Sequence, residues 1–188
     1  MSKDDVTRCP WCGEDPLYQR YHDEEWGVPV RDHRLLFEML CLEGQQAGLS
    51  WITVLRKRER YRQQFCNFEP ARIIKLSDAQ LDKKLEDPGI IRHRLKIHAI
   101  RDNARAYFAL QETTDFADFL WDFVGGEPRL NRPKTMRVVP ATTAESDAMS
   151  KALKKRGFRF VGSTICYAFM QATGMVNDHI QSCWRAPK

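Results

Sequence analysis

The sequence contains no apolar run near the roughly 20 residues that a membrane-crossing helix needs. Residues 1–7 (MSKDDVT) lack the apolar stretch of a secretory leader. No membrane partner is expected, and a cytoplasmic location is the default. Strand-like alternation is nearly missing, as are internal repeats and low-complexity tracts. What is present is the composition of a folded globule, 43% hydrophobic and 29% charged over 188 residues. That length fits a single domain spanning 1–188.

The net charge of +5 is unevenly spread. Up to Val30, three basic residues stand against seven acidic ones, so the basic surplus lies downstream. Much of it falls in two stretches, Arg92, Arg94, Lys96, Arg101 and Arg105, then Lys151, Lys154, Lys155, Arg156 and Arg159. Each stretch either solvates a helix face or meets a polyanion. The six cysteines argue against a disulfide framework, because a cytosolic chain of this size keeps its thiols reduced and needs no staples. Cys41 and Cys166 sit inside apolar runs and read as small core residues, and Cys66, in QQFCNF, reads as structural too.

Helical periodicity dominates. Residues 35–42 (LLFEMLCL) are apolar on nearly every face, which predicts a helix buried on most sides. Ser50 is a plausible N-cap for a second helix, SWITVLRKRERYRQQF. Residues 78–86 and 92–110 predict two further helices around Asp87-Pro88-Gly89-Ile90-Ile91-Arg92, a break short enough to make a helical hairpin near 81–110. Residues 113–120, 143–156 and 164–172 complete the set, the last two closed by Gly157 and Gly174. Between them WDFVGGEPRLNRPK, broken by glycine and proline, predicts a loop or lid. The expectation is an all-α globule of about six to eight helices.

Three constellations carry chemistry. Cys9, His22, His179 and Cys183 form a Cys2His2 set suited to tetrahedral zinc. On one helical turn, His179 and Cys183 would share a face. Four protein ligands make a closed, structural site that clips the chain ends together. Unconnected thiols and imidazoles are the alternative, and Cys12 competes as a ligand. With Cys9 it also forms CPWC, but the βα context of a redox motif is missing. Second, Trp11, Tyr18, Tyr21, Trp26 and Trp51 flank short polar stretches, and Glu43 follows an apolar helix beside Gly44. Rings around one buried acceptor suit a planar, cationic ligand bearing N–H groups; core packing and a solvated helix end are the competing readings. Third, the turn around Gly89, Ile90 and Ile91 can point backbone N–H groups at a phosphate, with Arg92, Arg94 and Lys96 following the strand; an ordinary helix connection would look the same.

Arg8-Cys9-Pro10-Trp11, Asp15-Pro16-Leu17-Tyr18, YHDEEWG, LFEMLCLEGQQAGLSWITVLRKRE, DPGIIRHRLKI and KALKKRGFRFVGSTICYAFMQATGMVNDH together resemble the DNA-3-methyladenine glycosylase I family, which has the helix-hairpin-helix glycosylase fold. The resemblance implies a structural zinc on Cys9, His22, His179 and Cys183, and a base pocket of Tyr21, Trp26, Glu43 and Trp51, with Glu43 as its catalytic residue. It implies hydrolysis of the N-glycosidic bond of N3-methyladenine in alkylated double-stranded DNA, with no lyase step, no redox or nucleotide cofactor and no obligate protein partner. Leu49 would wedge into the duplex, and Gly89, Ile90, Ile91, Arg92 and Arg94 would contact it. Asp115 and Asp118 lie where the wider superfamily carries an aspartate, but this family resembles an exception to that rule. His93 stands where strand-cutting relatives carry a lysine. A zinc-clipped module that binds alkylated bases without cleaving them is the alternative function.

Overall fold

The computed structural model describes residues 6–187; residues 1–5, which carry most of the leader reading, and residue 188 lie outside the described residues. Nine α-helices are present among the described residues: α1 Pro16–Glu24, α2 His33–Gln46, α3 Trp51–Gln64, α4 Pro70–Ile73, α5 Asp78–Lys83, α6 Arg94–Gln111, α7 Phe116–Trp121, α8 Ala144–Lys155 and α9 Ser163–Ala172. The all-α expectation holds. Helices α1 and α4 were not anticipated, although α1 has a legible start. Asp15 accepts from the backbone N–H groups of Leu17 and Tyr18, and Pro16 occupies the first helical position, where no N–H is required.

Helix α2 is the spine of the molecule, packing on α3, α6, α7 and α9. Its residues from Leu36 to Gln45 are all buried, which is why its sequence shows no polar face. Asp32 caps it, accepting from Leu35 N at 2.8 Å. The helix does not stop at Glu43 beside a break, as the sequence implied. It runs through Gly44 to Gln46, and the glycine lets Phe160 approach closely: a Cβ would stand 3.1 Å from Phe160 Cβ and 3.2 Å from its carbonyl oxygen. Glu43 is therefore carried in the interior of a rigid element.

The helical hairpin is α5, a short 3-10 extension Lys84–Glu86, a turn, and α6, whose N-cap is His93. Its turn does not present the expected row of outward donors. Gly89 N donates to Asp87 Oδ1 (2.8 Å), Ile90 N to Asp87 O (3.4 Å) and Ile91 N to the Tyr61 hydroxyl (3.1 Å). Ile90 is buried as well. Lys96 is likewise withdrawn from any strand-tracking role. Its Nζ donates to the carbonyls of Gln45 (2.9 Å) and Ala47 (2.6 Å), closing the C-terminus of α2. Tyr61 completes the link by donating to Gln45 Oε1 (3.0 Å), while Gln45 Nε2 donates to Lys96 O (3.0 Å). The hairpin is thus bolted to the helix that carries Glu43. Tyr61→Phe would leave Ile91 N–H and Gln45 Oε1 without their partner at a fully buried position. Urea denaturation should show a loss of about 1–3 kcal/mol at unchanged m-value.

Two short strands qualify the expectation of none: β1 Arg129–Leu130 pairs in parallel with β2 Val176–Asn177, Arg129 opposite Val176. The chain reaches β2 through Gly174, whose φ of +70° and contact with the Val28 carbonyl carbon, 2.3 Å from a hypothetical Cβ, exclude a side chain. Drawn off in this way, residues 179–183 do not form the expected helical turn. They fold back irregularly, with Cys183 N donating to Ile180 O at 2.8 Å, and this still brings His179 and Cys183 together.

Candidate active site and metal centre

Trp11, Tyr18, Tyr21, Trp26, Glu43 and Trp51 line one cavity of about 210 Å³. The structure therefore gathers all five aromatic candidates around the single acidic one. Glu43 comes from α2, Trp51 opens α3, Tyr18 and Tyr21 lie on α1, and Trp11 and Trp26 flank α1 in the chain. Glu43 is 2% exposed, which removes the solvated-helix-end reading. Burial alone pushes its carboxyl up to about 8. The Tyr21 phenol is raised well above its ordinary value, first by burial and then by the charge of Glu43.

Rings of Tyr21 and Trp51 stand 5.5 Å apart at 46°. A planar base sandwiched between them would need about 7 Å, twice the carbon contact distance of ~3.5 Å. At this spacing a planar ring fits against the pair and not between its members. Trp11 meets Tyr18 at 4.9 Å and Trp26 at 5.0 Å, both edge to face.

Four further residues complete the lining: Gln46, Met136, Ala168 and Gln171. Sequence reasoning missed them. Gln46 is one helical step (i+3) from Glu43 and shares its face, a signal that was available. Gln171 is a polar residue closing the apolar run ICYAFMQA, and Ala168 precedes it by three. Met136 begins a 3-10 turn, Met136–Val138, just beyond the segment expected to form a loop or lid, where no periodicity marks it. Leu49 follows Gly48 (φ +79°) in the connection from Glu43's helix to Trp51's helix and is 42% exposed, so it is not a core residue. Asp115 caps α7 and pairs with His33, Asp118 is exposed, and neither lines the cavity. Arg92 is exposed, while Arg94 is held by Asp82 through bonds of 3.0 and 3.2 Å.

Behind the cavity, the ligating atoms of Cys9, His22, His179 and Cys183 lie within 4.8 Å of one another, and all four residues are buried. Cys183 Sγ is 3.4 Å from His22 Nε2 and 3.4 Å from His179 Nδ1, and Cys9 Sγ is 3.6 Å from His179 Nδ1. A tetrahedral zinc site with ordinary Zn–S and Zn–N bonds has S···N edges of about 3.6 Å. The outward nitrogens are already committed. His22 Nδ1 pairs with Asp23 Oδ1 (2.8 Å) and His179 Nε2 faces the Trp26 carbonyl (3.0 Å), so the nitrogens turned toward the sulfurs are His179 Nδ1 and His22 Nε2, the latter accepting from Cys9 N at 3.2 Å. Although burial works against it, Asp23 is held down at about 2 by Arg8, His22 and Trp184. The hydrogen bond from Cys9, aided by the two imidazoles and opposed by burial, holds the Cys183 thiol below its ordinary range, while donating that bond and burial raise the Cys9 thiol. A dication would offset the cost of holding both sulfurs as thiolates. Cys12 turns its thiol to the Cys9 carbonyl at 3.2 Å and is not one of the four, and all six cysteines are free.

The metal-ligand candidates stand behind the pocket wall without lining it: Trp26 meets His179 edge-on at 4.7 Å and Trp11 contacts His22 at 5.3 Å.

This arrangement has close counterparts. The family model described as methyladenine glycosylase matches residues 11–186. DNA-3-methyladenine glycosylase 1 of Escherichia coli (strain K12) is 55% identical over 179 residues, covering 95% of this chain and 96% of that protein. A crystal structure of a 3-methyladenine DNA glycosylase I superposes with a TM-score of 0.95 at 57% identity, over 96% of this chain and 100% of the other. A variant of such an enzyme solved in complex with 3-methyladenine superposes with a TM-score of 0.92 at 35% identity, over 96% and 98% of the two chains. With agreement of this length in both sequence and backbone, the chain belongs to the methyladenine glycosylase family.

Proposed function

We infer that the chain is a base-excision-repair glycosylase that hydrolyses the N-glycosidic bond of N3-methyladenine in alkylated DNA and leaves an abasic site. One observation carries the assignment of the site. Of the five buried side-chain polar atoms without a hydrogen-bond partner among the described residues, three belong to residues that line the same cavity: Trp11 Nε1, Glu43 Oε2 and Trp51 Nε1. Buried polar groups are normally satisfied, and leaving one unmet costs about 1–3 kcal/mol. Two donors and one acceptor kept unmet around a ring-walled space match a planar heteroaromatic base.

N3 methylation makes the attached adenine a cation, so it departs as a neutral base and needs no proton donor. The protein has to take the nucleotide out of the stack, at a cost of a few kcal/mol that is smallest for damaged bases. In the cavity the rings attract the cation by about 2 kcal/mol or more when water is excluded, and Glu43 accepts from the exocyclic amine. Neutral adenine forfeits the first of these and most of the second. Because the attraction stabilises bound substrate as well as transition state, it serves chiefly selection, and the rate comes mainly from the leaving group. Docking of the cation favours the Glu43 carboxylate, so a proton leaves Glu43 as the base enters whenever the pH is below about 8.

Leu49, exposed between the two pocket-bearing helices, would fill the gap in double-stranded DNA left by the extruded base; its exposure supports this reading. The hairpin contributes Arg92 and Arg94 at its rim, with Gly89, Ile90 and Ile91 supplying the shape of a turn held rigid from within. Cys9, His22, His179 and Cys183 would hold zinc, whose part is structural because four protein ligands leave no position for water. One core that includes both Cys9 and Cys183 supports reading 1–188 as a single unit.

The function is tested by chromatography of the bases released from methylated DNA under single-turnover conditions. Free N3-methyladenine with an abasic, uncut strand is the expected result. Tight binding with no base released would instead establish a recognition module.

A further inference from the structure

The wall of the cavity formed by α9 contains an amide whose orientation is dictated from behind. Gln171 Nε2 donates to Asp178 Oδ2 at 2.8 Å. Asp178 is buried and takes two more hydrogen bonds, from Tyr167 OH to Oδ2 (2.7 Å) and from Asn131 Nδ2 to Oδ1 (2.8 Å). Burial and the adjacent Asp178 both raise the Tyr167 phenol, which keeps it a donor. A carboxylate ringed by donors only accepts, so an amide turned the other way would set oxygen against oxygen. The nitrogen of Gln171 is therefore committed to Asp178. Its Oε1 takes part in no hydrogen bond among the described residues, while the residue lines the same cavity as Glu43.

We propose that Gln171, locked by Asp178, is a specificity-determining acceptor of the base pocket that shares with Glu43 the two hydrogens of the exocyclic amine. The inference rests on the Glu43 cavity being the base site. The amine is the sole conventional N–H donor group of N3-methyladenine, and two fixed acceptors use both of its hydrogens. A purine with a carbonyl at that position would bring a third acceptor against two that cannot turn away, which is how a site built for one hydrogen-bond pattern rejects another. Asp178 does not reach the ligand; it is a positioning residue that acts by forbidding the amide to flip. Asn131, from the segment next to β1, and Tyr167, from α9, hold that carboxylate still.

The test compares two free bases on the metal-loaded protein, 3-methyladenine and 3-methylpurine, which lacks the amine, by tryptophan fluorescence titration. Gln171→Met keeps the bulk and removes the acceptor. It should weaken 3-methyladenine about three- to tenfold, the worth of one hydrogen bond, and leave 3-methylpurine within twofold. Asp178→Asn allows either amide orientation and should show the same ligand-dependent loss, smaller in size, at unchanged metal content. Equal losses for both bases would mean that Gln171 is only a wall, and no loss for either would remove it from the site; both results overturn the proposal. If Asp178→Asn does not fold, the Gln171→Met comparison decides alone. A wild type that binds neither base sinks the pocket reading itself. Binding that responds to Glu43→Gln but not to Gln171→Met sinks this inference and spares that reading.

Discussion

Cys183→Ser is expected to lower the melting temperature by about 10–20 °C, and a strong chelator should do the same to the wild type. A closed site that joins the segment before α1 to the last described turn contributes its binding energy to folding, because the unfolded chain has no such cluster. The full ~10–16 kcal/mol of zinc sites in peptides that fold only with metal is an upper bound. Here a large apolar core beyond the cluster adds its own stability, so a loss on the order of 5 kcal/mol is expected, and at this chain length each kcal/mol shifts the midpoint by about 2–4 °C. Metal analysis should give one zinc per wild-type chain. Cys12→Ser is the internal control: its thiol serves only the Cys9 and Gly13 carbonyls, so metal content and midpoint should stay close to wild type. Below its melting point Cys183→Ser should retain most of its base-release rate, since none of the four ligands lines the cavity. A metal-free wild type of full stability would refute the zinc assignment.

Much of this architecture is legible in the sequence because it follows from local rules. Asp15-Pro16, Asp32 and Thr143 are helix starts that the structure uses as written. The apolar run from Leu35 reads as a buried helix, and α2 is one. The cysteine and histidine set is legible from residue chemistry, although the helical geometry assumed for His179 and Cys183 is wrong: their proximity comes from a return turn that no periodicity encodes. Long-range placement is what the sequence conceals. Lys96 looks like one more cation of a basic stretch, yet it is folded onto the end of α2 by two carbonyls nearly fifty positions away. The turn at Gly89 looks like a phosphate cradle, and its donors are spent on Asp87 and Tyr61. Met136 and Gln171 reach the cavity from segments whose composition carries no sign of it. Glu43 lies between these cases. Its pairing with an apolar helix is visible, while the run of that helix on through Gly44 to Gln46, against Phe160, is not.

Glu43→Gln should reduce kcat/KM for alkylated DNA roughly 10- to 100-fold, the worth of a charged hydrogen bond of about 1.5–3 kcal/mol, while making the free protein more stable at alkaline pH. Both effects have one origin. Buried with one oxygen unpartnered, the carboxyl titrates near 8 in the folded protein, against about 4.5 in the unfolded chain. Between those values the native state holds a proton that the unfolded chain has released. Stability therefore declines as pH rises from about 4.5 to about 8 and is level beyond that. Glutamine cannot ionise, so its advantage should be close to nothing near pH 4.5 and reach several kcal/mol above pH 8, at about 1.4 kcal/mol per pH unit as an upper bound. Parallel urea denaturations of the two proteins at pH 5 and pH 8.5 isolate this group, because every other titration cancels in the difference. The same group should govern activity with the opposite sign. The ionised form receives the cation, so wild-type kcat/KM should climb with pH and level off near 8, whereas kcat, measured with the cation already in place, should be flat to lower pH. Loss of the rising limb in Glu43→Gln, together with the alkaline gain in stability, would show that the residue binding the damaged base is held in a state the fold alone disfavours. A variant no more stable at pH 8.5 than at pH 5 would mean that the carboxylate has a partner in the free protein, and the cavity would then have to be reassigned.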